Sequence, residues 1–258
     1  MIDIKSLSSF SDSRLVGTKF FHFDKLRSTM NKATTLANHG TISGSVIIAE
    51  EQTFGRGRFD RHWISDPFKD ILCSIILRPI ISQLPFVNMA ITLAVAETVE
   101  QFTNQNCLIK WPNDVLVSGR KLCGVLIEVE IIEGVVKHAI IGIGLNVNTD
   151  ISRYPEISST ATSISREVGG DVDRTCVLKV LLGYIEKFYS RVVDGDQLRD
   201  EWVSKLALIN ETVEVIFAGE RIVGKSLGID EQGRLLLETD LGNVIPVSAG
   251  EIINRINE

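Results

Sequence analysis

Apolar residues recur along this chain with two different periods, and the switches between them mark its elements. From Ser28, the segment STMNKATTLANHG sets Met30, Ala33 and Ala37 at helical spacing. Ser28 or Thr29 serves as N-cap and Gly40 as the stop, which predicts a helix with hydroxyls at its mouth. Ser45 to Gln52 and Ile71 to Pro79 are short apolar runs that read as buried strands. Between them lies TFGRGRFDRHWISDPFKD, polar, aperiodic and too long for a plain turn, so a functional loop is expected there.

Val87 to Phe102, rich in Ala, Val, Ile and Leu, predicts a buried helix. Strands follow at Cys107 to Lys110, Asp114 to Val117, Lys121 to Glu130 and Val135 to Ile143, with a hairpin turn at Ser118-Gly119. The pattern favours an α+β domain, a sheet with antiparallel pairs and helices packed on one side. Helices are predicted near Arg174 to Val193 and Gln197 to Lys205. After Asn210 the chain changes to short strands, VEVIF, RIVGKSLGI, GRLLLET and NVIPV, separated by turns, which predicts a small barrel. The expected division is therefore residues 1–209 and 210–258.

Composition narrows the class without naming a function. With 44% hydrophobic and 23% charged residues among 258, the chain can bury a large core. No window approaches the run of about 20 apolar residues that a membrane span needs, and MIDIKSLSSF lacks the basic and apolar parts of a signal peptide. A cytoplasmic protein without a membrane partner is expected. Cys73, Cys107, Cys123 and Cys176 are widely spaced, with no CxxC pair and no histidines at metal spacing, so reduced thiols and no protein-built metal site are expected. A net charge of −6 argues against a nucleic-acid surface covering the whole protein, though a local basic site is allowed.

Three segments concentrate unusual chemistry. Gly55-Arg56-Gly57-Arg58, extended by Arg61 and Trp63, joins an open backbone to forked donors that suit a carboxylate or phosphate, beside a flat ring on which a purine can stack. Lys110-Trp111-Pro112-Asn113-Asp114 precedes a hairpin that carries Arg120-Lys121-Leu122-Cys123-Gly124. That hairpin can bring the Lys121 ammonium to the Asn113-Asp114 end, and Gly124 leaves room against the strand. Gly142-Ile-Gly-Leu-Asn-Val-Asn148 is a lone GxG with Asn146 and Asn148 at a strand end, weak by itself as a nucleotide signal. No P-loop occurs.

Taken in order, Glu51-Gln52 with Gly55-Arg56-Gly57-Arg58, then Lys110 to Asp114, Gly119 to Gly124 and Gly142 to Asn148 resemble the signature of biotin protein ligases, over about residues 24 to 255. The resemblance implies a catalytic domain of the class II synthetase and lipoate ligase type, a mixed sheet with helices, followed by an SH3-like barrel. It implies biotin as substrate, ATP with Mg2+, a biotinyl-5′-AMP intermediate and a biotin carboxyl carrier protein as acceptor. By matched position, Ser28, Thr29, Met30, Gln52, Arg56, Gly57, Arg58, Lys121 and Gly124 line the biotin site, and Arg58, Arg61, Trp63, Asn113, Lys121 and Asn146 the ATP site.

Chemistry assigns Lys121 and Arg58 to the meeting of two anions, the carboxylate and the α-phosphate, and Asp114 to orienting or deprotonating the acceptor amine. Met30 and Asp60 depart from the family pattern, in which many members carry Asn and Gly. The region before Asp24, with Lys5, Arg14 and Lys19 as its cations, shows no two-helix pattern, so no DNA partner is expected; a homodimer is expected from the resemblance. The competing readings are a lipoate or octanoate ligase on the same fold and a non-catalytic biotin sensor.

Overall fold

The computed structural model describes residues 1–8, 15–59, 61–217 and 219–255; Arg14 and Asp60 lie outside them. A short helix α1 (Ile4–Ser8) leads to strand β1 (Lys19–Leu26), helix α2 (Thr29–Asn38) and strand β2 (Ser45–Gln52). β1 and β2 pair in parallel, and parallel neighbours need a crossover, which α2 supplies. The long polar loop contains a two-stranded hairpin, β3 (Gly55–Arg56) and β4 (His62–Trp63), before β5 (Ile71–Leu77). Helix α3 (Leu84–Thr103) precedes β6 (Cys107–Lys110), β7 (Asp114–Val117), β8 (Arg120–Ile132) and β9 (Val135–Leu145). Helices α4 (Ile164–Val168), α5 (Arg174–Val193) and α6 (Arg199–Ser204) complete this part.

The main sheet has the order β1-β2-β5-β9-β8-β7-β6, antiparallel except at its first pair. One face, carrying Val46, Ile48, Cys73, Ile75, Ile141 and Val125, packs against α3 and α5; α3 is apolar nearly all round because other elements cover it on most sides. The helices are not confined to that side. Helix α2 lies on the other face, where Met30, Ala33 and Ala37 meet Ile47, Ile76 and Ile140. Alternation alone could not show this, since β2 and β5 are apolar on both faces.

The C-terminal strands β10 (Thr212–Phe217), β11 (Glu220–Ile229), β12 (Leu235–Glu238), β13 (Val244–Val247) and β14 (Glu251–Arg255) form a five-stranded antiparallel sheet. Its order is β13-β12-β11-β10-β14, and among the described residues no ladder joins β13 to β14, so the expected barrel is an open sheet by its hydrogen bonds. It touches the main domain through Trp111 Nε1, which donates to the Gly233 carbonyl at 3.1 Å, and through Arg199, which donates to the Ile229 carbonyl at 2.8 Å. The sequence reading also passed over α1, β1, α4, β14 and the β3–β4 hairpin, all short or lying where the apolar pattern is weak.

Asp70, at the mouth of β5, fixes the chain that leaves β9. Its carboxylate accepts from Val147 N at 2.9 Å, Thr149 N at 3.3 Å and Thr149 Oγ1 at 2.6 Å. Burial pushes its pKa up to about 6, against the pull of those hydrogen bonds. The folded carboxyl therefore holds its proton more tightly than the unfolded one, whose pKa is near 3.8. That contribution to stability is whole below about pH 4 and is lost as pH rises through about 6. Asp70→Asn keeps an acceptor and cannot ionise. Relative to wild type, the variant should gain roughly 2–3 kcal/mol between about pH 4 and pH 7 in urea unfolding. A stability difference that is independent of pH refutes the buried ionisation.

Candidate functional site

The register of the sheet decides where a cavity can form. On the α2 face, β8 and β9 place Gly124 opposite Gly144 and Leu126 opposite Gly142, and β7 places Asp114 opposite Gly124. Three neighbouring positions thus lack side chains, and the space above them is used by others. A Cβ at Gly144 would fall 2.5 Å from the Trp63 ring, one at Gly142 would fall 2.7 Å from the Met30 sulfur, and one at Gly124 would meet both Trp63 and Lys121. The GxG motif is therefore a floor for two side chains, and Gly124 makes room for a tryptophan and a lysine.

Above this floor lies a cavity of about 600 Å³, within the usual range for small-molecule sites. The residues that the sequence assigned to the biotin and ATP sites, with Asp114, line it: Ser28, Thr29, Met30, Gln52, Arg56, Gly57, Arg58, Arg61, Trp63, Asn113, Asp114, Lys121, Gly124 and Asn146; Gly55, Arg120 and Asn148 of the same motifs do not. Residues from six elements and four connecting segments, up to 118 positions apart, converge because the main sheet and the β3–β4 hairpin bring them together.

One end of the cavity is neutral and rich in hydroxyls. Ser74 Oγ donates to Thr29 Oγ1 at 2.8 Å; Thr29 donates from N and Oγ1 to Gln52 Oε1, at 2.7 and 3.0 Å. Ser28 stands at the N-cap of α2 in extended conformation, yet its hydroxyl makes no capping bond. At 2% exposure, its Oγ is buried without a partner among the described residues. A buried hydroxyl left unpaired is costly, and a ligand polar group arriving there removes that cost. Ser74 escaped the sequence reading because a serine within a strand carries no signal of its own.

The other end is cationic. Lys121 Nζ sits 2.8 Å from Asp114 Oδ1 and 5.5 Å from the centre of the Trp63 ring. The backbone of Lys121 is held on both sides, its N–H donating to Thr160 O and its carbonyl accepting from Thr162 N, each at 2.8 Å. Arg58 donates to Asn113 Oδ1 at 3.2 Å, and Asn113 Nδ2 donates to the Val125 carbonyl at 2.5 Å, fixing the turn between β6 and β7. Burial lowers the pKa of Arg58, while Asp114 and Glu251 oppose that shift; an arginine starts so high that it stays charged. Arg61 pairs with Glu251 of β14 at 2.6 Å, and Arg56 pairs with Glu128 of β8.

The two asparagines after β9 are committed to structure. Asn146 Nδ2 donates to the Thr162 carbonyl at 2.9 Å, and Asn148 donates to and accepts from the backbone of Val172. Of the two, Asn146 lines the cavity, and Glu251, Thr160 and Ala161 line it without having been marked by the motifs; Glu128 is outside the lining and holds Arg56. Cys73, Cys107 and Cys123 are buried thiols with raised pKa values, the cause in each being burial, and Cys176 is exposed. The three buried thiols are thereby kept protonated.

Comparison with known proteins agrees with this geometry. Residues 22–146 match the biotin/lipoate A/B protein ligase family and residues 208–255 the biotin protein ligase C terminal domain. The bifunctional ligase/repressor BirA of Bacillus subtilis is 35% identical over 235 residues, covering 89% of this chain and 72% of that one. The biotin–[acetyl-CoA-carboxylase] ligase of Mycobacterium tuberculosis is 31% identical over 229 residues, 84% of this chain and 82% of its own. Among solved structures, the biotin protein ligase from Aquifex aeolicus in complex with biotin and ATP superimposes with a TM-score of 0.78 at 30% identity, covering 92% of this chain and 99% of that one.

The floor is directly testable. Gly144→Ala should push Trp63 off the sheet and cost about 1–3 kcal/mol of stability. Since Trp111 and Trp202 are buried, a red-shifted emission would report Trp63. Unchanged emission would show that the ring does not rest on Gly144.

Proposed function

The chain belongs to the biotin protein ligase family, and from that premise we infer that its cavity activates biotin with ATP and passes the acyl group to a lysine of a biotin carboxyl carrier protein. The observation that carries the assignment of ends is the polarity of the cavity. A neutral hydroxyl-lined pocket with an unpaired Ser28 suits the ring and ureido head of biotin, and the cluster of Lys121, Arg58 and Arg61 suits a carboxylate meeting a triphosphate.

A carboxylate does not acylate an amine at neutral pH, because its charge repels attack and its oxygen leaves poorly. Transfer to AMP creates a good leaving group, but the first step brings two anions together. Lys121 and Arg58 lower that barrier by placing fixed positive charge where the carboxylate oxygen attacks the α-phosphate and pyrophosphate departs. Their existing contacts to Asp114 and Asn113 hold them in place beforehand, so little reorganisation is needed. Trp63, lying flat on Gly144 and Gly124, offers its free face to adenine. In the second step the carrier lysine must arrive as a neutral amine, and Asp114 at the same end of the cavity orients it or takes its proton.

Magnesium fits as a companion of the nucleotide. Such ions are held by one or two carboxylates together with substrate phosphates, and Asp114 and Glu251 are the carboxylates lining the cavity. When bound, the ion neutralises phosphate charge. Among the described residues no cluster of three or more His, Cys, Asp or Glu side chains forms a site independent of the nucleotide. Among the described residues no helix is long and apolar enough to cross a membrane, and we place the reaction in the cytoplasm, where ATP and carboxylases are found.

Lys121→Ala should leave the fold intact and lower biotinyl-AMP synthesis by about two to three orders of magnitude. Near-normal synthesis by this variant, with biotin and with lipoate as the competing acid, would remove Lys121 from the chemistry. Arg58→Gly should release the adenylate, seen as biotin on lysines of bystander proteins. Retention equal to wild type would show that Arg58 does not hold the intermediate.

A further inference from the structure

The three arginines of the hairpin loop reach three separate parts of the molecule. Arg58 goes to the β6–β7 turn and Arg61 to β14, each through one side-chain hydrogen bond among the described residues. Arg56 is held differently. Its two terminal nitrogens donate to the two carboxylate oxygens of Glu128, Nη1 at 3.1 Å to Oε2, and the same Nη1 reaches Asn31 Oδ1 of α2 at 3.1 Å. Glu128 lies on the cavity face of β8, two positions beyond Leu126 and four beyond Gly124, and stands opposite Ile140 in the ladder. The guanidinium therefore joins the loop to both walls of the neutral end, α2 on one side and β8 on the other, above the floor made by Met30 and Gly142.

This pair is a poor stabiliser of the fold. Its side chains are 34% and 37% exposed, and ion pairs at such positions contribute little net free energy. What a two-pronged guanidinium–carboxylate contact does supply is direction. Without Glu128, Arg56 keeps one neutral acceptor, Asn31, and the loop can swing on its glycines. We propose that Glu128 is a positioning residue, the latch that holds Arg56 as a roof over the head of bound biotin, so that retention of the adenylate depends on Glu128 while its synthesis does not. The proposal rests on the biotin ligase reading above.

Wild type and Glu128→Ala are loaded with labelled biotin and ATP. Single-turnover synthesis, release of biotinyl-AMP into a chase, and labelling of albumin lysines are then measured. Glu128→Ala should synthesise at a rate within about twofold of wild type and release its intermediate about tenfold faster, with albumin labelling rising in step. Glu128→Gln, similar in volume and keeping one acceptor, should fall between and guards against a folding defect in the alanine variant. Arg56→Ala should release at least as fast as Glu128→Ala, and the double variant no faster than Arg56→Ala alone. Release unchanged in Glu128→Ala, or single effects that multiply in the double variant, overturns the latch while leaving the ligase reading intact. Wild type that forms no biotinyl-AMP would overturn both.

Discussion

The cavity exists because one patch of a sheet has no side chains. Gly124, Gly142 and Gly144 sit side by side on the α2 face of β8 and β9, and everything above them is arranged by what that patch admits. Trp63 lies down on it, Met30 reaches into it, and Lys121 is drawn beside the indole. A methyl group at any of the three would enter space that those side chains already fill. The register of a ladder is fixed by the burial of its alternate residues, here the apolar positions that face α3 and α5. Core packing on one face thereby sets the shape of the binding site on the other.

Much of this was legible beforehand, and the physical reasons are plain in particular places. The buried helix α3 and the strands of the β7–β8 hairpin announced themselves by long apolar runs and by the Ser118-Gly119 turn, both of whose residues have positive φ. Each motif brings residues to the cavity, because a motif is a string whose chemistry shows in residue type, although Gly55, Arg120 and Asn148 do not line it. What sequence could not show is pairing in space. Glu128 reads as one more alternating glutamate in a strand, and only the path of Arg56 across the cavity gives it a role. Likewise the placement of α2 opposite the other helices follows from the parallel crossover between β1 and β2, and β1 went unread because its apolar residues are only half-buried.

The electrostatic arrangement is one of charges already occupied. Lys121, Arg58, Arg61 and Arg56 each hold an acceptor within the protein, so bringing substrate anions means exchanging partners rather than assembling an array of mutually repelling cations. Such exchange keeps a dense positive site tolerable in the folded protein and oriented for the reaction. Asp114 stands at the centre of the exchange: the carboxylate that holds Lys121 is also the one we propose to meet the acceptor amine.

The contact between Trp111 and Gly233 has a consequence for how this chain can be altered or recombined. Gly233 adopts positive φ in a turn of the C-terminal sheet, and a Cβ there would lie 2.8 Å from the Met89 methyl in α3. The turn, the methionine and the indole of the Trp-Pro-Asn-Asp segment thus form one interlocking set, drawn from regions more than a hundred residues apart. Grafting a foreign C-terminal sheet onto this catalytic domain would succeed only with a matching turn, or with a smaller residue at position 89. The two parts are separable on paper but must be inherited together.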